Sequence, residues 1–173
     1  MKRIVLRYGF GSGLMISALM GCSMLLAHRI GPGYSMLIGY TIMVASFLLV
    51  YFGVRSYRDT VLGGGISFGR ALGCGLLIML ITTICYVGSW EVMYFGFMPH
   101  FMDGYFAAQI RHLEASGLDA GTLARRVAAT RRSQEMYQNP LVNMAYTVVE
   151  PLPVGLLFAV LSAAVLRRKP ASA

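Results

Sequence analysis

Residues 71–90 read ALGCGLLIMLITTICYVGSW, a run of twenty residues that contains no charged side chain. A helix of this length rises about 30 Å, which is enough to cross the hydrocarbon core of a bilayer. Two further uncharged runs of similar length occupy residues 8–27 and 34–54. Charged residues make up 13% of the chain, about half the roughly 25% that is usual for a soluble domain. The sequence therefore predicts a membrane protein with several spans.

A fourth apolar segment occupies residues 141–166, and Glu150, Pro151 and Pro153 interrupt it. The predicted fold class is an all-α polytopic membrane protein with four transmembrane helices and an extracytoplasmic helical hairpin between helices 3 and 4. A single membrane domain covers residues 1–173. Its predicted segments are spans at about 8–28, 34–54, 70–97 and 141–166, and a hairpin at about 99–139.

The orientation follows from the basic residues that flank the spans. With both termini in the cytoplasm, the inner side receives three clusters of three: Lys2, Arg3 and Arg7; Arg55, Arg58 and Arg70; Arg167, Arg168 and Lys169. The short outer loop carries only Arg29, and the other outer arginines lie in the long hairpin. Because cytoplasmic loops are enriched in Lys and Arg, we expect both termini to lie in the cytoplasm.

The segment before Cys22 permits a second interpretation. Leu19-Met20-Gly21-Cys22 is similar to a bacterial lipoprotein signal, in which the cysteine is acylated after cleavage. Met20 fits poorly at a position that takes a small residue, and the chain stays apolar after Cys22. An uncleaved span is favoured, and cleavage at Cys22 is kept as the alternative.

The first span contains small residues at intervals of four, which places them on one helix face. They are Gly9, Gly13, Ser17 and Gly21. A similar row, Gly65, Gly69 and Gly73, opens the third span. Small residues let two membrane helices approach closely, so we expect these rows to pack the first helix near the third.

The hairpin is predicted from two caps and two apolar stripes. Asp103 is expected to cap a helix that carries Phe106, Ile110 and Leu113, and Ser116-Gly117 is expected to end it. Asp119 is expected to cap a second helix that carries Leu123, Val127 and Tyr137, and Asn139-Pro140 is expected to end that one.

Arginines are the candidate contact residues of this protein, for lipid headgroups or for a protein partner. Four lie in the second hairpin helix and two follow the second span: Arg125, Arg126, Arg131 and Arg132; Arg55 and Arg58. Two interpretations of the hairpin stay open: an amphipathic cover on the membrane surface, or a partner-binding segment. Nucleic acid is not expected as a partner, because acids flank the arginines.

Two acids lie inside predicted spans, where a carboxyl group is costly and is a candidate functional group. Glu91 lies near the outer end of the third span, and Glu150 lies about ten residues into the fourth. Similar depths would let them face each other or nearby tyrosines, Tyr86 and Tyr146 among them. Glu150, Glu91 and Tyr146 form the candidate intramembrane polar site. A structural role remains open for both acids, because Glu150 adjoins two prolines and Glu91 adjoins Trp90.

The sequence carries no motif for catalysis, a cofactor or a metal. GxSxG and HExxH patterns are absent, and the three cysteines show neither CxxC spacing nor an even number. We therefore expect no catalytic residues, no cofactor and no metal site, and the sequence favours a non-enzymatic protein over an enzyme.

Five segments together resemble the bacterial membrane family catalogued as domain of unknown function 4199. They are GVRSYRD from Gly53, ISFGRAL from Ile66, FMD from Phe101, MYQNP from Met136, and PVGL from Pro153 followed by LSA from Leu161. The positions that carry the resemblance are Arg55, Tyr57, Arg58, Ser67, Phe68, Asn139, Pro140, Pro153 and Gly155. The resemblance implies a four-helix inner-membrane protein with an extracytoplasmic helical insert, and it implies no activity.

The functional expectation is a non-enzymatic structural or protein-association role through the helix bundle and the outer hairpin. The expected partners are the lipid bilayer and either further copies of the chain or another membrane protein. The alternative is a small transporter or proton-coupled membrane subunit that uses Glu150.

Overall fold

The computed structural model describes residues 1–26 and 32–168, and its regular elements in those ranges are all helices. They are α1 (Lys2–Leu26), α2 (Pro32–Thr60), α3 (Phe68–Gly96), α4 (Asp103–Glu114), α5 (Ala120–Tyr137), α6 (Pro140–Val149) and α7 (Leu152–Leu166). The all-helical prediction is confirmed for the described residues. One isolated antiparallel bridge joins Ile66 to Arg168.

Within the part of the chain that the structure describes, four segments are long and apolar enough to cross a membrane: Lys2–Leu26, Leu37–Val61, Phe68–Gly96 and Pro140–Leu166. These four apolar segments agree with the number of spans that the sequence predicts, and they indicate a membrane protein. The second helix runs further than the uncharged stretch suggested, because its polar end from Arg55 to Thr60 stays helical. Arg29 and Lys169, which entered the orientation argument, lie outside the described residues.

The chain divides into two compact units. We call Met1–Ser89 together with the segment from Val148 onward the bundle unit, and Trp90–Thr147 the hairpin unit. The helices α3 and α6 each contribute residues to both units.

The bundle unit packs through small residues and through buried hydroxyl groups. Ser12 Oγ of α1 donates to the carbonyl oxygen of Ser46 in α2 over 2.8 Å, and both residues are fully buried. A Cβ placed on Gly155 of α7 would lie 2.5 Å from Met79 Cγ of α3. Only a residue without a side chain allows α7 to lie this close to α3.

The fourth span is two helices rather than one. Helix α6 ends at Val149, Glu150 and Pro151 form the junction, and α7 begins at Leu152. Pro151 and Pro153 have no N–H to donate to the preceding turn, so the hydrogen-bond ladder is interrupted here. The residues that interrupt the apolar run in the sequence thus lie where the predicted fourth span divides into two helices.

The hairpin ends differ from the prediction at one of the two caps. Asp119 is the N-cap of α5, and its carboxylate accepts from the Thr122 amide over 2.9 Å, as expected. The expectation that Asp103 caps α4 is wrong, because Met102 occupies the N-cap position and makes no side-chain cap bond. The Asp103 carboxylate instead accepts a hydrogen bond from Gln134 Nε2 at 3.0 Å, which ties α4 to α5.

Candidate functional site

The polar group deepest in the fourth span is Glu150, at the junction between α6 and α7. The hydroxyl of Tyr86 in α3 donates to Glu150 Oε2 over 2.9 Å. Tyr86 itself is buried, with 8% of its surface exposed. The pair therefore joins the third span to the kink of the fourth through one hydrogen bond.

Glu150 is exposed on the surface of the bundle unit rather than enclosed by it. It lies roughly 15 Å along the axis from the start of α6, at about 1.5 Å per residue. A carboxyl at this position in a bilayer costs about 2.5–3.5 kcal/mol on insertion scales unless other polar groups surround it. The Tyr86 hydroxyl supplies one such group and leaves the outer side of the carboxyl uncovered.

The small-residue row of α1 lies against the middle of α3. A Cβ on Gly13 would lie 2.6 Å from both Cβ and Sγ of Cys85, and one on Gly9 would lie 2.8 Å from Ile81 Cβ. Further along, the Ser89 hydroxyl donates to Ser17 Oγ over 2.7 Å. These contacts place α1 and α3 in close packing.

The glycines at the start of α3 take no part in that packing. A Cβ on Gly69 or on Gly73 would meet no atom within 4 Å. The α3 side of the contact is formed by residues about two to four turns after Gly73, from Ile81 to Ser89. Gly21, the last residue of the α1 row, is half-buried.

In the hairpin unit the polar centre is Asn143 of α6, which is fully buried. Its Oδ1 accepts from the indole N–H of Trp90 at 2.8 Å and from the Thr147 hydroxyl at 3.2 Å. Its amide donates to the carbonyl oxygen of Tyr137 at 3.2 Å. Both ends of the side-chain amide are thus bonded, which is what a buried polar group requires.

Aromatic rings surround this centre. Trp90 stacks on Tyr94 with 5.7 Å between ring centroids, and Phe101 meets Trp90 edge-on at 6.2 Å. Tyr137 at the end of α5 meets Tyr94 at 5.6 Å and Phe106 of α4 at 6.1 Å. Ring pairs of this geometry each add about 0.5–1.5 kcal/mol beyond their burial. They hold the hairpin helices on the end of α3.

Glu91 and Tyr146 also belong to the hairpin unit. Glu91 is half-buried, and its Oε1 is buried without a hydrogen-bond partner. Tyr146 is 56% exposed, and its ring lies 6.2 Å from that of Tyr137. The structure thus pairs Glu150 with Tyr86, whereas Tyr146 is in contact with an aromatic residue of the hairpin.

The residues of the predicted apolar stripes have reduced solvent exposure on both hairpin helices. Phe106 is buried and Ile110 and Leu113 are half-buried on α4, and Leu123 and Val127 are half-buried on α5. Helices α4 and α5 contact each other. The four arginines of α5 are all exposed, and no residue of that helix is fully buried. The exposed surface of α5 is therefore polar and basic.

Basic residues collect at the end of the bundle unit where α2 ends and α3 begins. Arg58 pairs with Asp59 at 2.6 Å, and Arg55 lies 3.6 Å from the same carboxylate. The two candidate headgroup contacts thus share one acid in this structure. A guanidinium with its charge partly compensated is a weaker anion ligand than a free one.

A second group of arginines lies at this end and was predicted only as an orientation signal. Arg70, Arg167 and Arg168 line one open cavity of about 690 Å³. Sequence reasoning missed it because residues 70 and 167 are far apart in the chain. Asn143 was also missed as a bonded partner, although it is an isolated amide inside an apolar run and could have been noticed on that ground. Tyr86, in contrast, was among the tyrosines expected near the two acids.

Comparison with known proteins supplies one match. A model of the family described as "Protein of unknown function (DUF4199)" matches residues 7–168. No curated protein and no solved structure matches the chain.

Proposed function

Because the chain belongs to the DUF4199 family of proteins of unknown function, its family supplies no activity, and we propose that it acts by association within the membrane. The proposed partner is a second copy of the chain, which packs against the fourth span at Glu150. In this proposal the protein is a non-enzymatic component of the bacterial inner membrane, with both termini in the cytoplasm.

The observation that carries the proposal is the exposure of Glu150 in the middle of a segment long enough to span a membrane. In a lone chain the exposed side of this carboxyl would face hydrocarbon, and the hydroxyl of Tyr86 is its hydrogen-bond donor within the described residues. A second chain that covers it removes the lipid contact and can add an interhelical hydrogen bond. Such bonds contribute about 1–2 kcal/mol in model membrane helices.

A second copy suits this surface better than an unrelated chain because a two-fold contact brings the same residue from both sides. Two carboxyl groups that meet at a symmetric contact share a proton, with one group donating to the other. The α7 residues that continue the Glu150 face, Pro153, Leu157 and Leu161, are exposed and apolar. They provide the packing surface around the polar pair.

Disulfide crosslinking in native membranes tests the proposal. In a Cys22→Ala background, Leu157→Cys and Leu161→Cys are each oxidised and the dimer is quantified on non-reducing gels. Leu14→Cys is the matched control, because Leu14 is an equally apolar and exposed residue on α1. We expect crosslinks at Leu157 or Leu161 and not at Leu14.

The role of the carboxyl is tested by pairing two substitutions in that assay. Glu150→Gln keeps a side chain that can bond across the contact, and Glu150→Leu does not. We expect the glutamine variant to crosslink like the parent and the leucine variant to lose about fivefold or more in dimer, for about 1 kcal/mol. A strictly monomeric protein in mild detergent, together with no crosslink on α7, would refute the proposal.

The hairpin provides the second association surface in this proposal, and the exposed arginines of α5 support it. We place it outside the cytoplasm because the positive-inside rule puts Arg55, Arg58 and Arg70 on the cytoplasmic side, and the third span lies between Arg70 and the hairpin in the sequence. A membrane-impermeant maleimide should label Ser133→Cys in intact cells and leave Thr60→Cys unlabelled. The reverse labelling pattern would show that the hairpin is cytoplasmic and would contradict the proposed topology.

A second candidate function uses the same pair in a different way. An acid and a tyrosine at a helix break are also the groups that a proton pathway would use. Proteoliposomes that contain a pH-sensitive dye measure this directly. Proton flux that is lost in Glu150→Gln, with crosslinking at Leu157 unchanged, would favour transport over association alone.

A further inference from the structure

The cavity lined by Arg70, Arg167 and Arg168 lies where the end of α7 meets the start of α3. Its volume is about 690 Å³, and Gly65, Ile66, Ser67 and Phe68 line it together with the three arginines. The volume lies in the range of about 300–1,000 Å³ that small-molecule sites occupy. All of these residues belong to the bundle unit.

The backbone holds the arginines in place. The Ile66 amide donates to the Arg168 carbonyl oxygen and the Arg168 amide donates to the Ile66 carbonyl oxygen, both over 2.9 Å. Ile66 is 2% exposed, so the bridge is anchored in the core. The segment that follows α7 is therefore fixed beside the first turn of α3, which carries Arg70.

The charge of this cluster is uncompensated. Within residues 1–26 and 32–168, the carboxylates that form ion pairs are Asp59 and Asp103, and neither pairs with an arginine of the cavity. Three guanidinium groups around one space repel each other. An anion in the cavity would remove that repulsion, and guanidinium groups bind phosphate oxygens in a bidentate manner.

We propose that this cavity binds a phosphate group through Arg70, Arg167 and Arg168. The start of α3 adds the positive end of its helix dipole to the same space. The cavity lies at the ends of two apolar segments long enough to span a membrane, and the ends of such segments are expected to meet the headgroup region. A phosphate there can come from an anionic phospholipid headgroup or from a soluble phosphorylated compound, and the test separates these sources.

The test measures the midpoint temperature of thermal unfolding for the purified protein in a non-ionic detergent. One arm titrates short-chain phosphatidylglycerol, with phosphatidylcholine as the zwitterionic comparison, and the other titrates inorganic phosphate. We expect a concentration-dependent rise in the midpoint in one of the two arms. Phosphatidylglycerol alone would identify a lipid headgroup, and inorganic phosphate would identify a soluble ligand.

Charge-matched variants separate the cavity from a general attraction. Arg167→Gln/Arg168→Gln removes two charges from the cavity, and Arg3→Gln/Arg7→Gln removes two exposed charges from the start of α1. We expect the first pair to weaken apparent affinity about tenfold or more, and the second to change it little. Arg70→Gln, a single exposed substitution that should not disturb folding, should also weaken it.

Three results would overturn the proposal. They are no stabilisation by phosphatidylglycerol or phosphate, equal stabilisation by phosphatidylcholine, and equal weakening in the two charge-matched pairs. The midpoint of each variant without ligand shows separately whether the variant is folded.

Discussion

The indole N–H of Trp90 donates to Oδ1 of Asn143 over 2.8 Å, and this bond joins α3 to α6 inside the hairpin unit. Asn143 is fully buried, so its amide depends on its protein partners for hydrogen bonding. Trp90 is also the single tryptophan of the chain. Its fluorescence therefore reports on the centre of the hairpin unit without interference from other tryptophans.

We predict that Asn143→Leu destabilises the hairpin unit by about 1–3 kcal/mol, because it removes the hydrogen bonds that the Asn143 side chain makes with the Trp90 N–H and the Tyr137 carbonyl. The measurement is the thermal midpoint of Trp90 fluorescence in detergent. The matched control is Gln109→Leu, because Gln109 is an exposed amide on α4 and bonds only to the exposed Tyr105. The free energy of unfolding of this control variant should stay within about 0.5 kcal/mol of that of the parent. Equal midpoints for the two variants would contradict the role of Asn143.

The spans could be predicted from sequence because the signal is local. A run such as residues 71–90 is apolar over its whole length, and backbone hydrogen bonding in a bilayer leaves a helix as the only form for it. The helix break at Glu150 was predictable for the same reason, since Pro151 and Pro153 act on their own turn. The Asp119 cap also depends on residues within four positions.

The contacts between elements were harder to predict because they depend on which faces meet. The row of small residues on α1 lies against α3, but Gly13 meets Cys85 rather than the glycines at the start of α3. Asp103 has the residue type of a cap, yet its carboxylate bonds to Gln134 of α5, a residue brought near only by the hairpin. The arginine cavity depends on the Ile66–Arg168 bridge, which no local pattern indicates.

We predict that Gly13→Ala weakens the contact of α1 with α3 by about 1–3 kcal/mol, as overpacked substitutions do. The new Cβ would lie 2.6 Å from Cys85 Cβ, an atom close to the backbone that cannot swing away. Gly11→Ala is the control, because a Cβ there meets nothing within 4 Å in the same helix. For both variants, samples are heated, and the protein that still elutes in the monodisperse peak of size-exclusion chromatography is plotted against temperature to give the thermal midpoint.

A compensating change makes the Gly13 prediction specific. Cys85→Gly removes the Cβ that the new methyl group meets, so Gly13→Ala/Cys85→Gly should recover part of the lost stability. Additive losses in the double variant would show that the two positions do not contact each other.

The start of α5 should depend on pH through Asp119. The hydrogen bond from Thr122 holds the pKa of the Asp119 carboxyl below its ordinary value of 3.8. A carboxyl with a depressed pKa stabilises the folded helix start above its unfolded pKa, and this contribution is lost as pH falls through the folded pKa. We therefore expect amide-exchange protection at Thr122 to be complete at pH 5 and to fall below about pH 4, after correction for the intrinsic exchange rate. Asp119→Asn keeps a capping side chain that does not titrate, and it should abolish this pH dependence.

The thiol of Cys74 should report on packing inside the bundle unit. Cys74 is fully buried in α3, whereas Cys22 is exposed and Cys85 is half-buried. In detergent, N-ethylmaleimide should therefore modify Cys22 readily and reach Cys74 only when the bundle unit opens, because alkylation requires access to the thiolate. The measurement uses a Cys22→Ala/Cys85→Ala variant, with Cys22 kept alone in a second variant as the control for reagent activity.

Gly155→Leu provides a positive test: a leucine side chain there would collide with Met79 and Phe47, so it should loosen the contact of α7 with α3. Cys74 alkylation should then accelerate by about tenfold or more, for a loss of about 1–3 kcal/mol. Rapid modification of Cys74 in the folded parent would contradict the packing of α3 described above.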